Sequence, residues 1–181
     1  MRTDPKRLVI DANVARSAGR KDTESIASLH CREFLETMLN ETRHLIVITD
    51  AIEAEWQKHQ SNFASHWLAS MYKRGRVCII EIPTHGRLRF KVLRTTLSEH
   101  ERSAMLKDIH LLEAALHADR IVISQDEKVR GYFQNAALTI KAVTLVVWVN
   151  PCQTIETPAI WLLSGAECEK GRCLGYSLQD P

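Results

Sequence analysis

Short aliphatic runs alternate along this chain with longer stretches in which apolar positions recur every three or four residues. The runs are RLVI (7–10), HLIVI (44–48), RVCII (76–80), RIVIS (120–124) and VTLVVWV (143–149). They are rich in β-branched residues and lack alternation of apolar and polar positions, which predicts strands covered on both faces. Between the first two lies TESIASLHCREFLETMLNE (23–41), whose Ile26, Leu29, Phe34, Leu35 and Met38 follow roughly helical spacing. After the second run the pattern predicts helices over 50–59 and 61–74, the latter stopping at Gly75. A longer helix over 99–118 begins SEHE, where Ser98 and Glu101 fit a capping box. Strands and helices alternating in this order predict an α/β fold with a largely parallel sheet.

After residue 150 the pattern changes. Thr157 and Pro158 look like the N-cap and first residue of a short helix that ends at Gly165. The expected organisation is one main domain over 1–150 and an ordered appendage over 151–181 with a loose terminus. Composition adds little to this picture. A net charge of +2 is compatible with a polyanionic partner without requiring one. The five cysteines, Cys31, Cys78, Cys152, Cys168 and Cys173, are odd in number and form no regular framework, which predicts reduced thiols inside a cell. The N-terminus has no apolar segment of signal-peptide length, and the longest apolar run, AVTLVVWV, is too short to span a bilayer. A cytoplasmic protein without a membrane partner is expected.

Two of the predicted strands run into acids. RLVI leads directly to Asp11, with Asn13 two residues on, and RIVIS leads to Asp126 just past Ser124. Either acid alone reads equally well as a turn residue or helix cap. In an open parallel sheet, however, ligands bind beyond the carboxyl ends of the strands, so both acids stand on the edge where a site forms. Asp108 lies three or four residues from Ala104, Met105, Leu111 and Leu112, and so borders the apolar stripe of its helix. A carboxylate facing a core is costly to ionise without a cation or hydrogen bonds, although a solvated margin is the alternative. In TDAIEAEWQKH, Asp50 and Glu53 suit reciprocal capping. Glu55 shares a face with Ile52, Trp56 and His59. Asp11, Glu55, Asp108 and Asp126 together make an all-oxygen set suited to a hard divalent cation such as Mg2+ or Mn2+.

These residues resemble the PIN-domain nucleases, a family that includes the toxin halves of VapBC-type toxin–antitoxin modules. The matching segments are LVIDANV, EAEW and KDIHLLEAALHADRIVISQDEKV, within roughly residues 7–149. The resemblance implies a three-layer α/β/α sandwich and a metal-dependent endoribonuclease acting on RNA. By position, it makes Asp11, Asp108 and Asp126 metal ligands, Glu55 the second acid of a catalytic quartet, and Ser124 and Asn13 supporting residues. It also implies a homodimer and an antitoxin-like protein partner. The chain departs from the pattern in the long interval between Glu55 and Asp108 and in the tail after residue 150.

That interval supplies RLRFKVLR (87–94). Read as a strand, it puts Arg87, Arg89 and Lys91 on one face, where they would contact nucleic-acid phosphates; a solvated surface segment is the alternative. Trp56, Trp67 and Trp161 fit core packing. Cys168 and Cys173 have the spacing of half a zinc site, with no second pair nearby. Two other functions compete with the nuclease. One is a PIN-fold module that binds RNA or an antitoxin with little or no catalysis. The other is a phosphoryl-accepting receiver or aspartyl phosphatase, which DAN disfavours because it has neither adjacent acids nor Asp-x-Asp.

Overall fold

Each aliphatic run contributes a strand: β1 (Arg7–Ile10), β2 (Leu45–Ile48), β3 (Val77–Ile79), β4 (Ile121–Ile123) and β5 (Val147–Val149). In a computed structural model describing residues 4–19, 25–83, 86–95 and 98–176, all five pair in parallel in the order β3-β2-β1-β4-β5. Leu8, Val9 and Ile10 stand opposite Ile121, Val122 and Ile123, and Ile121–Ile123 in turn face Val147–Val149. Leu8, Val9 and Ile10 are fully buried, as strands covered on both faces require.

The helices are α1 (Ala12–Ser17), α2 (Ile26–Glu41), α3 (Asp50–His59), α4 (Asn62–Lys73), α5 (Arg87–Leu93), α6 (Glu99–Leu116), α7 (Glu127–Ala137) and α8 (Pro158–Leu163). α2 packs with α1, α4 and α8, while α6 packs with α5 and α7, so helices flank the sheet in a three-layer α/β/α sandwich. The capping box at Ser98 and Glu101 forms as expected. Among the described residues, no helix is long and apolar enough to cross a membrane. Thr23 and Glu24 of the segment with helical spacing, and residues 177–181 of the appendage expected to end in a loose terminus, lie outside the described residues.

Several local expectations are corrected. The run 87–94 does not form a strand: residues 87–93 make helix α5 and Arg94 is its C-cap. Leu88 and Val92 are four residues apart, and a helix brings them together against the core, leaving Phe90 57 % exposed on the other side. A run of alternating Leu, Arg, Phe and Lys satisfies either geometry locally, and packing of α5 on α6 selects the helix. The N-cap of α3 is Thr49, whose hydroxyl accepts from Ile52 N–H, and Asp50 is the first helical residue. Thr157 precedes α8 in a left-handed conformation (φ 42°) and makes no side-chain cap. β5 is shorter than the apolar run, which enters it through a 3-10 turn at Lys141–Val143.

The segment after β5 is tied down by charge and by packing. Trp161 and Leu162 are buried, and His44 Nε2, at the start of β2, lies 3.0 Å from the Leu162 carbonyl oxygen. Glu156 pairs with the buried Arg130 of α7 and stands 3.6 Å from Arg172, itself buried. Removing Glu156 takes from the buried Arg130 and Arg172 the one carboxylate they share and leaves each a more exposed partner, Glu127 at 3.5 Å and Glu169 at 2.7 Å. Glu156→Ala is therefore expected to destabilise the fold by about 3 kcal/mol, read as a lower urea midpoint with an unchanged slope.

Candidate active site

The strand order reverses between β1 and β4: β2 and β3 lie on one side of β1, and β4 and β5 on the other. Such a switch point opens a crevice beyond the carboxyl ends of the two central strands. Asp11 follows β1 directly, and its backbone N–H donates to the Ile123 carbonyl at 2.9 Å, continuing the ladder. Asp126 stands three residues beyond the end of β4. Both acids also cap helices: Asp11 accepts from Asn13 N–H at the start of α1, and Asp126 accepts from Val129 N–H, at 2.9 Å, at the start of α7. The capping and site readings are thus compatible at both positions. Beneath the first acid, the Trp56 indole donates to the Ile10 carbonyl at 2.8 Å, fixing α3 to the end of β1.

Ser124 is the hub. Its hydroxyl donates to Asp11 Oδ2 at 2.7 Å and accepts from Asn13 Nδ2 at 3.0 Å and from Asp126 N–H at 3.2 Å. Asn13 Oδ1 accepts from Gln125 N–H at 3.2 Å. Asn13 therefore reaches the first acid in two ways, through its own backbone N–H and, by its side chain, through Ser124. Ser124 is fully buried, so its three contacts hold one geometry.

The acids feel one another. Burial pushes the Asp11 carboxyl above its ordinary value against the pull of Ser124 and Asn13, and Asp126 adds to the rise. Burial, followed by the charges of Asp11 and Asp126, pushes Asp108 up to about 6, with Glu55 contributing less. Three carboxyl groups from β1, α6 and the β4–α7 turn thus share one electrostatic neighbourhood at the switch point. Glu55 stands at its margin, partly exposed, 3.4 Å from His59 on its own helix.

Compared with protein-family models, curated proteins and solved structures, the chain matches none.

The donor chemistry of the site suits a hard cation: it is all-oxygen, with the Asp11 carboxyl oriented by a hydroxyl and both Asp11 and Asp108 pushed up by burial and by neighbouring acids. Among the described residues, no group of three His, Cys, Asp or Glu side chains is already drawn together closely enough to clasp an ion.

The cations expected to meet nucleic acid do not sit together. On helix α5, Arg87 and Lys91 are one turn apart on one face, while Arg89 lies on another, paired to Glu113 at 2.9 Å. Trp56, Trp67 and Trp161 are all buried, as core packing requires. Three further residues join the carboxyl edge. His110, on the same helix as Asp108, lies near enough to favour the Asp11 carboxylate. The Gln125 side chain accepts from the Ser17 hydroxyl at 2.7 Å. Asn150, buried directly after β5, donates to Glu127 Oε1 at 2.9 Å. The signal that singles out Asp11, a polar residue immediately beyond an aliphatic strand, applies equally to Asn150. For His110 and Gln125 the sequence has no comparable mark.

A carboxyl raised in the folded state contributes stability while protonated and loses that contribution as pH rises through about 6. Because Asp108 is only partly buried, solvent screening reduces the effect. Asp108→Asn is expected to be more stable than the parent at about pH 7.5 by about 1–2 kcal/mol, with the difference vanishing at about pH 3.5. Urea unfolding of both proteins at the two pH values measures it.

Proposed function

We propose that the chain is a divalent-cation-dependent endoribonuclease whose working centre is Asp11, Asp108 and Asp126, with Glu55 at its margin. The observation that carries this reading is the hold of Ser124 on Asp11 at the switch point, with Asp126 anchored to the same hydroxyl and Asp108 close enough for the charges of both to push its carboxyl up. The resemblance of LVIDANV and KDIHLLEAALHADRIVISQDEKV to PIN-domain nucleases points the same way and supplies the choice of RNA.

Asp11, Asp108 and Asp126 would hold Mg2+ or Mn2+. When bound, such an ion supplies Lewis acidity and neutralises charge developing on a phosphoryl group in transfer. Ser124 would fix the Asp11 carboxylate in one orientation by donating to Oδ2 while Asn13 N–H donates to Oδ1. The raised carboxyls of Asp11 and Asp108 favour a cation over the metal-free charged state, because a cation relieves their mutual repulsion. Arg87 and Lys91, sharing one face of α5 beside a groove that Phe90 and Gly86 also line, suit the RNA backbone.

The test uses labelled single-stranded and hairpin RNAs with purified protein in Mn2+, in Mg2+ and in EDTA. Cutting is expected in either metal, absent in EDTA, and lost in Asp11→Asn and Asp108→Asn while both variants stay folded. Undiminished cutting by those variants would sink the nuclease reading. RNA binding without cutting in any metal would instead favour the binding module. Ser124→Ala is expected to weaken Mn2+ binding by about 10–100-fold, as removal of a ligand-orienting partner does, measured by metal titration. Arg87→Ala with Lys91→Ala is expected to make the salt dependence of RNA binding shallower, by about one unit of log–log slope for each phosphate that the pair neutralises.

A further inference from the structure

Two thiols face each other directly behind the acidic edge. Cys31, on α2, and Cys152, in the turn after β5, place their sulfurs 3.8 Å apart. They are 121 positions apart in sequence, so only the fold brings them together. Cys31 is fully buried, whereas Cys152 is partly exposed. The Gln125 side-chain amide donates to Cys152 Sγ at 3.1 Å, and the Cys152 thiol approaches the Ala27 carbonyl at 3.6 Å.

We propose that Cys31 and Cys152 are a reversible disulfide site, in which oxidation by a hydroperoxide straps α2 to the carboxyl end of β5. The roles follow from position. Cys152 is the sulfur that an oxidant reaches, and hydrogen bonds from Cys31 and Gln125, with the charge of His30 nearby, favour its thiolate. Cys31 is held in the protonated form by its contact with Cys152 and by burial, which suits a resolving thiol.

Attack of the Cys152 thiolate on the peroxide forms an S–O bond and breaks O–O, and the leaving hydroxide takes up a proton as water. Cys31 then loses its proton and attacks the sulfenic sulfur. S–S forms, S–O breaks, and a second water leaves. Two thiols and one hydroperoxide give one disulfide and, from hydrogen peroxide, two waters; a thiol reductant reverses the change. Closing the gap from 3.8 Å to about 2.0 Å falls mainly on Cys152, since Cys31 is locked in the core. That movement draws the sulfur from the amide of Gln125, the residue whose backbone N–H holds Asn13.

This site stands whether or not the chain cuts RNA, because its test reads sulfur chemistry alone. The reduced full-length protein is treated with hydrogen peroxide, quenched by alkylation and mapped by peptide mass spectrometry without reduction. The expected product is a Cys31–Cys152 cross-linked peptide pair, lighter by about 2 Da than the two thiol peptides together, and abolished by dithiothreitol. The oxidised protein is expected to melt above the reduced one, and Cys31→Ser to remove both the cross-link and the shift. Cys168, which is exposed, and Cys173, which is buried, with sulfurs 3.4 Å apart, serve as an internal control. Recovery of Cys31 and Cys152 as free thiols while Cys168 and Cys173 are cross-linked overturns the proposal. So does recovery of Cys152 as a sulfinic acid with Cys31 unmodified.

Discussion

The parallel pairing of β1 with β4 is the constraint on which the rest of the site depends. One backbone hydrogen bond, from Asp11 N–H to Ile123 O, carries the ladder one residue past the strand and brings the first acid level with Ser124. A parallel register offset by one residue would turn Asp11 toward the opposite face and separate it from the hydroxyl. Three fully buried aliphatic residues on β1 and three buried on β4 resist such a slip, because both faces of the sheet are packed and each side chain would have to enter a space shaped for another. The same pairing makes β1–β4 the point where the strand order reverses, so one set of contacts sets both the switch point and the acids that stand at its edge.

Packing acids at that point opposes folding, and the surroundings offset the cost in specific ways. The Ser124 hydroxyl and two helix N-termini supply donors to carboxylates that burial would otherwise leave poorly solvated. Asp108 has less help. It sits midway along α6, away from the ends of its own helix, and burial with the charges of Asp11 and Asp126 pushes its carboxyl up to about 6. Under the proposed function a bound cation would offset that cost, which is why the proposed function and the stability cost share the same residues.

The segment after β5 supports the same site from behind. α8 packs on α2, the buried Arg130–Glu156–Arg172 network clips the segment to α7, and Cys173 bridges back to Val147 of β5. Through Asn150 and Cys152 the same stretch reaches Gln125 and Glu127 beside the acidic edge. Residues far apart in the chain therefore stabilise one short turn, between β4 and α7, that presents Ser124 and Asp126.

Much of the architecture was legible from residue pattern. Aliphatic runs without alternation mark strands covered on both sides, and the five runs do form the five parallel strands. The SEHE start of α6 reports its own cap, because a capping box is local chemistry within four residues. The acids beyond β1 and β4 could be nominated because a strand end has a defined edge in a parallel sheet. What failed was also local. RLRFKVLR satisfies strand and helix alike, and only packing against α6 decides between them. By itself, then, the sequence determined the strands, the long helices and the edge to which Asp11 and Asp126 belong, since these depend on near-neighbour periodicity. Only the tertiary structure decided that Ser124 joins both acids, that Asp108 shares their field, that Arg89 is taken by Glu113, and that Cys31 meets Cys152, because each is a contact between residues that no local pattern relates.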